Sequence, residues 1–166
     1  MNNDVYAEWL VKRKTPGYAI FLKVGLILLV LVGIVISTLS PFGFIALLLA
    51  VGAAYFGFRS LKVEYEYVFV TNELSIDRIQ NQEKRKRMKA MDMNKIEIVA
   101  PFESHELDFT RNNPKIKTVD YSSQIPDHKK YGVVYSEDGN TFLYIFEPNE
   151  KLLHAMKLCA PRKIVM

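Results

Sequence analysis

The densest charge in the chain is Lys84-Arg85-Lys86-Arg87, followed by Lys89. Residues of this kind suit anionic lipid or another anionic partner, and phosphate groups suit an arginine fork. Beside an anionic bilayer each such cation gains about 1 kcal/mol. Side chains alternate along a strand, so on a strand these cations fall on both faces. Part of the run must therefore extend beyond a packed sheet, near a hairpin tip. The same residues on a solvated edge strand also guard against edge-to-edge pairing. No aromatic side chains are interleaved with them, so base stacking is not on offer and no nucleic-acid partner is expected.

The other reactive residue types do not assemble into a site. His105, His128 and His154 lie on different expected elements with no metal-ligand spacing. Glu103, Glu106 and Asp108 flank His105 in what reads as a solvated acidic loop. Cys159 excludes an internal disulfide framework, and near the end of a helix it reads as a small buried hydrophobe. Glycine-rich phosphate loops, serine elbows and metalloprotease pairs are absent. The chain is expected to be no enzyme, with no catalytic or metal-binding residues and no cofactor.

The elements that position these residues begin with an uncharged stretch, Val24 to Phe58, broken once by Ser40-Pro41-Phe42-Gly43. A bilayer's hydrocarbon is crossed by about 20 helical residues, so the run suits two spans. Proline pushes the preceding residue out of the helical region, which ends the first span at Ser40. The spans should run from about Tyr18 to Leu39 and from about Phe42 to Ser60. Gly25, Gly33, Ala46, Ala50, Ala53, Ala54 and Gly57 are small enough to form a close contact between them. Neither span holds a buried Asp, Glu, His or Arg, which argues against a transport path. The apolar segment is too long and starts too far in for a cleavable signal.

Lys12, Arg13, Lys14 and Lys23 precede the spans and Arg59 and Lys62 follow them, while the turn carries no charge. Positive flanks stay cytoplasmic, so both termini are expected on the inner face of the cell membrane, whether the hairpin crosses twice or re-enters. Asp4 to Lys14 reads as a short amphipathic helix capped by Asp4. Trp9, Lys12, Arg13, Lys14 and Arg59 would then anchor the membrane interface. The expected domains are an interfacial segment at 1–17, a transmembrane hairpin at 18–60 and a cytoplasmic domain at 61–166.

Beyond Lys62 the period changes to two. Strands are expected at Val63–Val70, Leu74–Ile79, within the basic run, at Ile96–Val99, Ile116–Tyr121, Tyr131–Tyr135 and Thr141–Phe146. Asp138-Gly139 marks the clearest hairpin turn. A final helix starts near Pro148 with Leu152, Leu153, Met156 and Leu158 as its apolar face, and Pro161 stops it. The fold class is α+β: a transmembrane α-hairpin, then a small antiparallel sheet or barrel capped by a C-terminal helix.

Two segments carry a resemblance, Tyr67-Val68-Phe69-Val70-Thr71-Asn72-Glu73-Leu74-Ser75-Ile76 and Met91-Asp92-Met93-Asn94-Lys95-Ile96-Glu97-Ile98. They resemble bacterial pleckstrin-homology-like (PH-like) domains, and Glu73 stands where relatives carry a basic residue. The whole chain resembles an uncharacterised family of small Gram-positive-type bacterial membrane proteins with this layout. The resemblance implies a non-catalytic binding or scaffolding module that recognises protein or anionic lipid at the inner membrane face. Lys84, Arg85, Lys86, Arg87 and Lys89 are the candidate contacts. The partners expected are the lipid bilayer, anionic headgroups, and another membrane protein or a second copy. The alternative is an accessory subunit of a larger membrane enzyme or transporter, docked through its hairpin. Ala46, Ala50 and Ala53 facing outward would favour that reading.

Overall fold

The computed structural model describes residues 6–166, so the expected Asp4 cap lies outside the described residues. The chain divides into two compact units, one helical and one built on two sheets.

The helical unit holds α1 (Tyr18–Leu39) and α2 (Gly43–Ser60). They run antiparallel: a Cβ on Gly33 would meet Leu47 Cα at 3.2 Å and Ala50 Cβ at 3.7 Å, and one on Gly57 would meet the Leu26 side chain at 2.5 Å. The turn is equally tight, since a Cβ on Gly43 would lie 2.3 Å from the Ile36 carbonyl oxygen. The expected small-residue contact therefore forms through Gly33, Ala50, Ala54 and Gly57 only. Gly25 has nothing within 4 Å of such a Cβ, and Ala46 and Ala53 face outward. The reason is periodicity: positions 43, 47, 50, 54 and 57 recur every three to four residues on one stripe, and 46 and 53 fall off it. Both helices are long and apolar enough to cross a membrane. Only 11% of the residues in the apolar window of α1, and 17% in that of α2, are buried.

The same unit includes the turn Gln80–Lys84. Asn81 and Gln82 both take positive φ, 54° and 59°, which makes a tight primed hairpin turn. Three contacts tie it to the end of α2. Arg59 pairs with Glu83, the Asn81 N–H donates to the Lys62 carbonyl (2.9 Å), and Gln80 Nε2 donates to the Ser60 carbonyl (3.3 Å).

The second unit is two four-stranded sheets. The first has the order β1-β2-β3-β4, with β1 Tyr6–Lys12, β2 Val63–Val70, β3 Glu73–Gln80 and β4 Lys84–Asp92. The second has the order β5-β7-β8-β6, with β5 Ile96–Pro101, β6 Lys117–Asp120, β7 Tyr131–Glu137 and β8 Asn140–Phe146. A short helix α3 (Asp108–Arg111) lies between β5 and β6, and α4 (Glu150–Cys159) follows β8. Asp138 and Gly139 make the expected primed turn, at φ 51° and 77°. Tyr67 meets Phe146 edge-to-face across the sheets at 5.5 Å, and Leu74, Ile76, Met91, Leu143 and Met156 fill the core.

Three expectations are corrected. Residues Tyr6–Lys12 form a strand, not an amphipathic helix. Strand β1 pairs antiparallel with β2, and Ala7 and Val11 stand opposite Phe69 and Tyr65, all four buried. The alternation Ala7, Trp9, Val11 is also a period-two pattern, and pairing with an aromatic neighbour overrides a weak helical preference. It follows that the sheet domain is not confined to 61–166, and that 1–17 is not a separate segment: the hairpin is inserted between two adjacent strands of one sheet. Finally, Cys159 is exposed at the end of α4, as is Leu158, because the buried stripe of that helix is Leu152, Leu153, Ala155 and Met156.

Candidate functional site

Strand β4 follows directly from the pinned turn and is the outer strand of its sheet. Lys84, Arg85, Lys86 and Arg87 are exposed, whereas Met88, Lys89 and Ala90 are half-buried and Met91 is buried. The expectation that the basic run extends beyond the packed region near a hairpin tip is met.

The structure then sorts these cations. Arg85 Nη2 lies 2.6 Å from one oxygen of Glu66 and 2.7 Å from the other, and Arg85 Nε is 4.0 Å from Asp77. Arg87 Nε is 3.5 Å from Asp77 Oδ1. Both carboxylates are buried, Glu66 on β2 and Asp77 on β3. Burial raises the Glu66 carboxyl above its usual range. The Arg85 charge opposes that shift, and Glu8 and Asp77 add to it. The two guanidiniums thus cover acids that would otherwise repel each other in a dry setting.

Lys89 turns to the second sheet. It binds Glu137 and sits 4.9 Å above the Tyr135 ring and 6.0 Å from that of Tyr144. Burial works against its charge, but the bond to Glu137 together with the electrostatic pull of Tyr144, Glu137 and Tyr135 outweighs it and holds the ammonium above the lysine range. The same hydrogen bond holds Glu137 below the carboxylate range. Among the described residues Lys84 and Lys86 form no ion pair. Reading the sequence alone missed Glu66, Asp77, Glu83 and Glu137 as partners. The one available signal was Glu64 and Glu66 set within an otherwise aromatic strand.

Of the five residues expected at a membrane interface, Trp9 is in the middle of β1, Lys12, Arg13 and Lys14 are at or just past its end, and Arg59 is in the last turn of α2. Trp9 is half-exposed on β1, and Lys12 lies 4.0 Å from Glu64. Arg13 donates to the Tyr65 hydroxyl (3.2 Å), and the Lys14 N–H donates to the Ser123 carbonyl (2.7 Å). Arg59 stacks over Tyr55, 5.1 Å from the ring centre, besides pairing with Glu83.

One further cluster resembles nucleophile chemistry and is not. Ser123 Oγ donates to Glu147 Oε1 (2.7 Å), and His128 Nδ1 lies 3.1 Å from Glu147 Oε2 and 3.3 Å from Ser123 Oγ. A serine–histidine–acid triad needs the acid and the serine on opposite ring nitrogens. Here both meet Nδ1, and Ser123 is fully buried. The cluster clasps the loop after β6 to the end of β8. Elsewhere, Arg111 binds Glu103 and Asp108, and no group of acids, histidines and cysteine among the described residues could hold a metal ion.

Two four-stranded sheets closed by a C-terminal helix fit the expected PH-like class, and residues 3–166 match the family described as a bacterial PH-like domain (DUF6106). The chain belongs to this bacterial PH-like family. No curated protein and no solved structure matches it. The match takes in the PH-like sheets and the helical hairpin alike, so the hairpin is part of the family's own layout.

Proposed function

We propose that this PH-like protein is a membrane-anchored, non-catalytic binding module of the inner face of the cell membrane, recognising protein or anionic lipid. One observation carries the reading: β1, before the hairpin, pairs with β2, after it. Two strands of one sheet must lie on the same side of a bilayer. A membrane segment between them would leave and return on that side, and the positive flanks support a cytoplasmic one. Apolar helices so little buried are unlike the buried core helix of a soluble domain, which supports residence in a membrane. Strand β4 starts where its turn is tied to the end of α2, which supports a binding role for Lys84 and Lys86 close to the headgroups.

The test uses the lone cysteine, which is exposed. A membrane-impermeant maleimide should label Cys159 in inside-out vesicles and not in right-side-out ones, and the chain should resist alkaline extraction. Labelling only from the outside overturns the reading. A Ser40→Cys, Cys159→Ser variant labelled from outside marks two full crossings. A second reading, an accessory subunit docked by the hairpin, draws support from Ala46 and Ala53 on the outer face of α2, although Ala50 is in the seam. A stoichiometric complex recovered from detergent-solubilised native membranes would favour it.

A further inference from the structure

Among the described residues, the edges of these sheets differ in what lies against them. The outer edge of β5 is taken by the C-terminal segment: the Val99 N–H donates to the Lys163 carbonyl and the Val165 N–H to the Val99 carbonyl, both at 2.8 Å. Helix α4 packs against β1, and the Lys14 N–H bonds the Ser123 carbonyl beside it. Strand β6 is only Lys117–Asp120. Strand β4, Lys84–Asp92, is the outermost strand of its sheet, and no strand among the described residues pairs with its far side. Such an edge presents a row of unpaired N–H and C=O groups, a template for one more strand.

The side chains decide what fits. Lys84, Arg85, Lys86 and Arg87 are all exposed on this strand. A second copy pairing edge to edge would set cations against cations, which destabilises a cross-strand pair. A lipid surface supplies charge but no backbone to complete the ladder. We infer that β4 is a docking edge for an extended acidic segment of another protein, which adds as a fifth strand. Its carboxylates meet Lys84 and Lys86 directly. They also meet the outer donors of Arg85 and Arg87, whose side chains are 57% and 64% exposed while they hold the buried acids. This rests on the binding-module reading and names the partner's chemistry.

The test uses the full chain in zwitterionic phosphatidylcholine nanodiscs and a blocked synthetic peptide of Glu-Glu pairs separated by single Val residues, which carries carboxylates on both faces of an extended strand. The peptide should bind saturably at low salt and slow amide exchange along β4. The Lys84→Gln, Lys86→Gln double variant should bind at least tenfold more weakly while keeping its melting temperature, in keeping with the small stability effects of exposed-site changes. A peptide N-methylated at every amide keeps its charge but loses the donors of both edges, and should not bind. Equal binding of the N-methylated peptide, or binding without protection of β4, overturns the proposal. So does no binding, a response to phosphatidylserine discs alone, or concentration-dependent protection of β4 without peptide. Membrane insertion is read separately by the Cys159 labelling, so failure here leaves the anchor reading standing.

Discussion

At the scale of single residues, a run of five cations divides into three sets: Arg85 with Arg87, Lys84 with Lys86, and Lys89. Arg85 and Arg87 cover the buried Glu66 and Asp77, so replacing both by Gln strands two acids in a dry site. The expected loss is about 2 kcal/mol, read as a lowered melting temperature of the full chain in detergent. The Lys84→Gln, Lys86→Gln variant should leave stability unchanged. The Lys89–Glu137 pair makes a pH prediction. Glu137 is depressed in the fold, so its contribution is full above the ordinary carboxylate range and disappears as pH falls through the lower folded value. Lys89 is raised, so its contribution holds below the lysine range and is lost only as pH rises through the higher folded value. A Glu137→Gln variant should melt below the wild type at neutral pH, and the gap should close on acidification below the carboxylate range. The cations were legible in the sequence as a group. Their division was not, because Glu66, Asp77 and Glu137 lie far from them along the chain and only strand pairing brings them near.

Among the elements, the hairpin was the most legible, because charge-free length and a single Ser-Pro break leave few alternatives. Its seam was half legible. Small residues mark a contact, but which of them turn inward depends on the phase of each helix. Gly33→Ile should wedge α1 from α2, since even a Cβ there meets the Leu47 backbone at 3.2 Å. Gly25→Ile meets open space. Protease resistance and melting in detergent should fall for the first and hold for the second. Strand β1 was misread because a short segment with Tyr6, Trp9, Leu10 and Val11 satisfies both periods, and its partner is encoded beyond the hairpin. The β7–β8 hairpin was read correctly because Asp138-Gly139 fixes a primed turn locally.

For the whole molecule, the composite sheet predicts which pieces can stand alone. Residues 61–166 lack β1 and should aggregate or remain unfolded. A chain joining Lys14 to Leu61 through a short Gly/Ser linker keeps β1 and should give a soluble, folded PH-like domain. Circular dichroism and dispersed amide spectra distinguish the two. The fold class was legible from seven period-two segments and a closing helix, whereas the eighth strand and the true boundary were hidden by the inserted helices. The placement of β1 also bears on how the protein is made. Residues Tyr6–Lys12 leave the ribosome before the hairpin, yet their partner Val63–Val70 exists only after both apolar helices have been synthesised, a wait of seconds at ordinary elongation rates. On the proposed topology, a chain that inserted one helix and stalled, or took the opposite orientation for one span, would leave β1 and β2 on opposite sides of the bilayer with no sheet to form. Completion of the sheet is then a check on correct insertion, and misinserted copies are left unfolded.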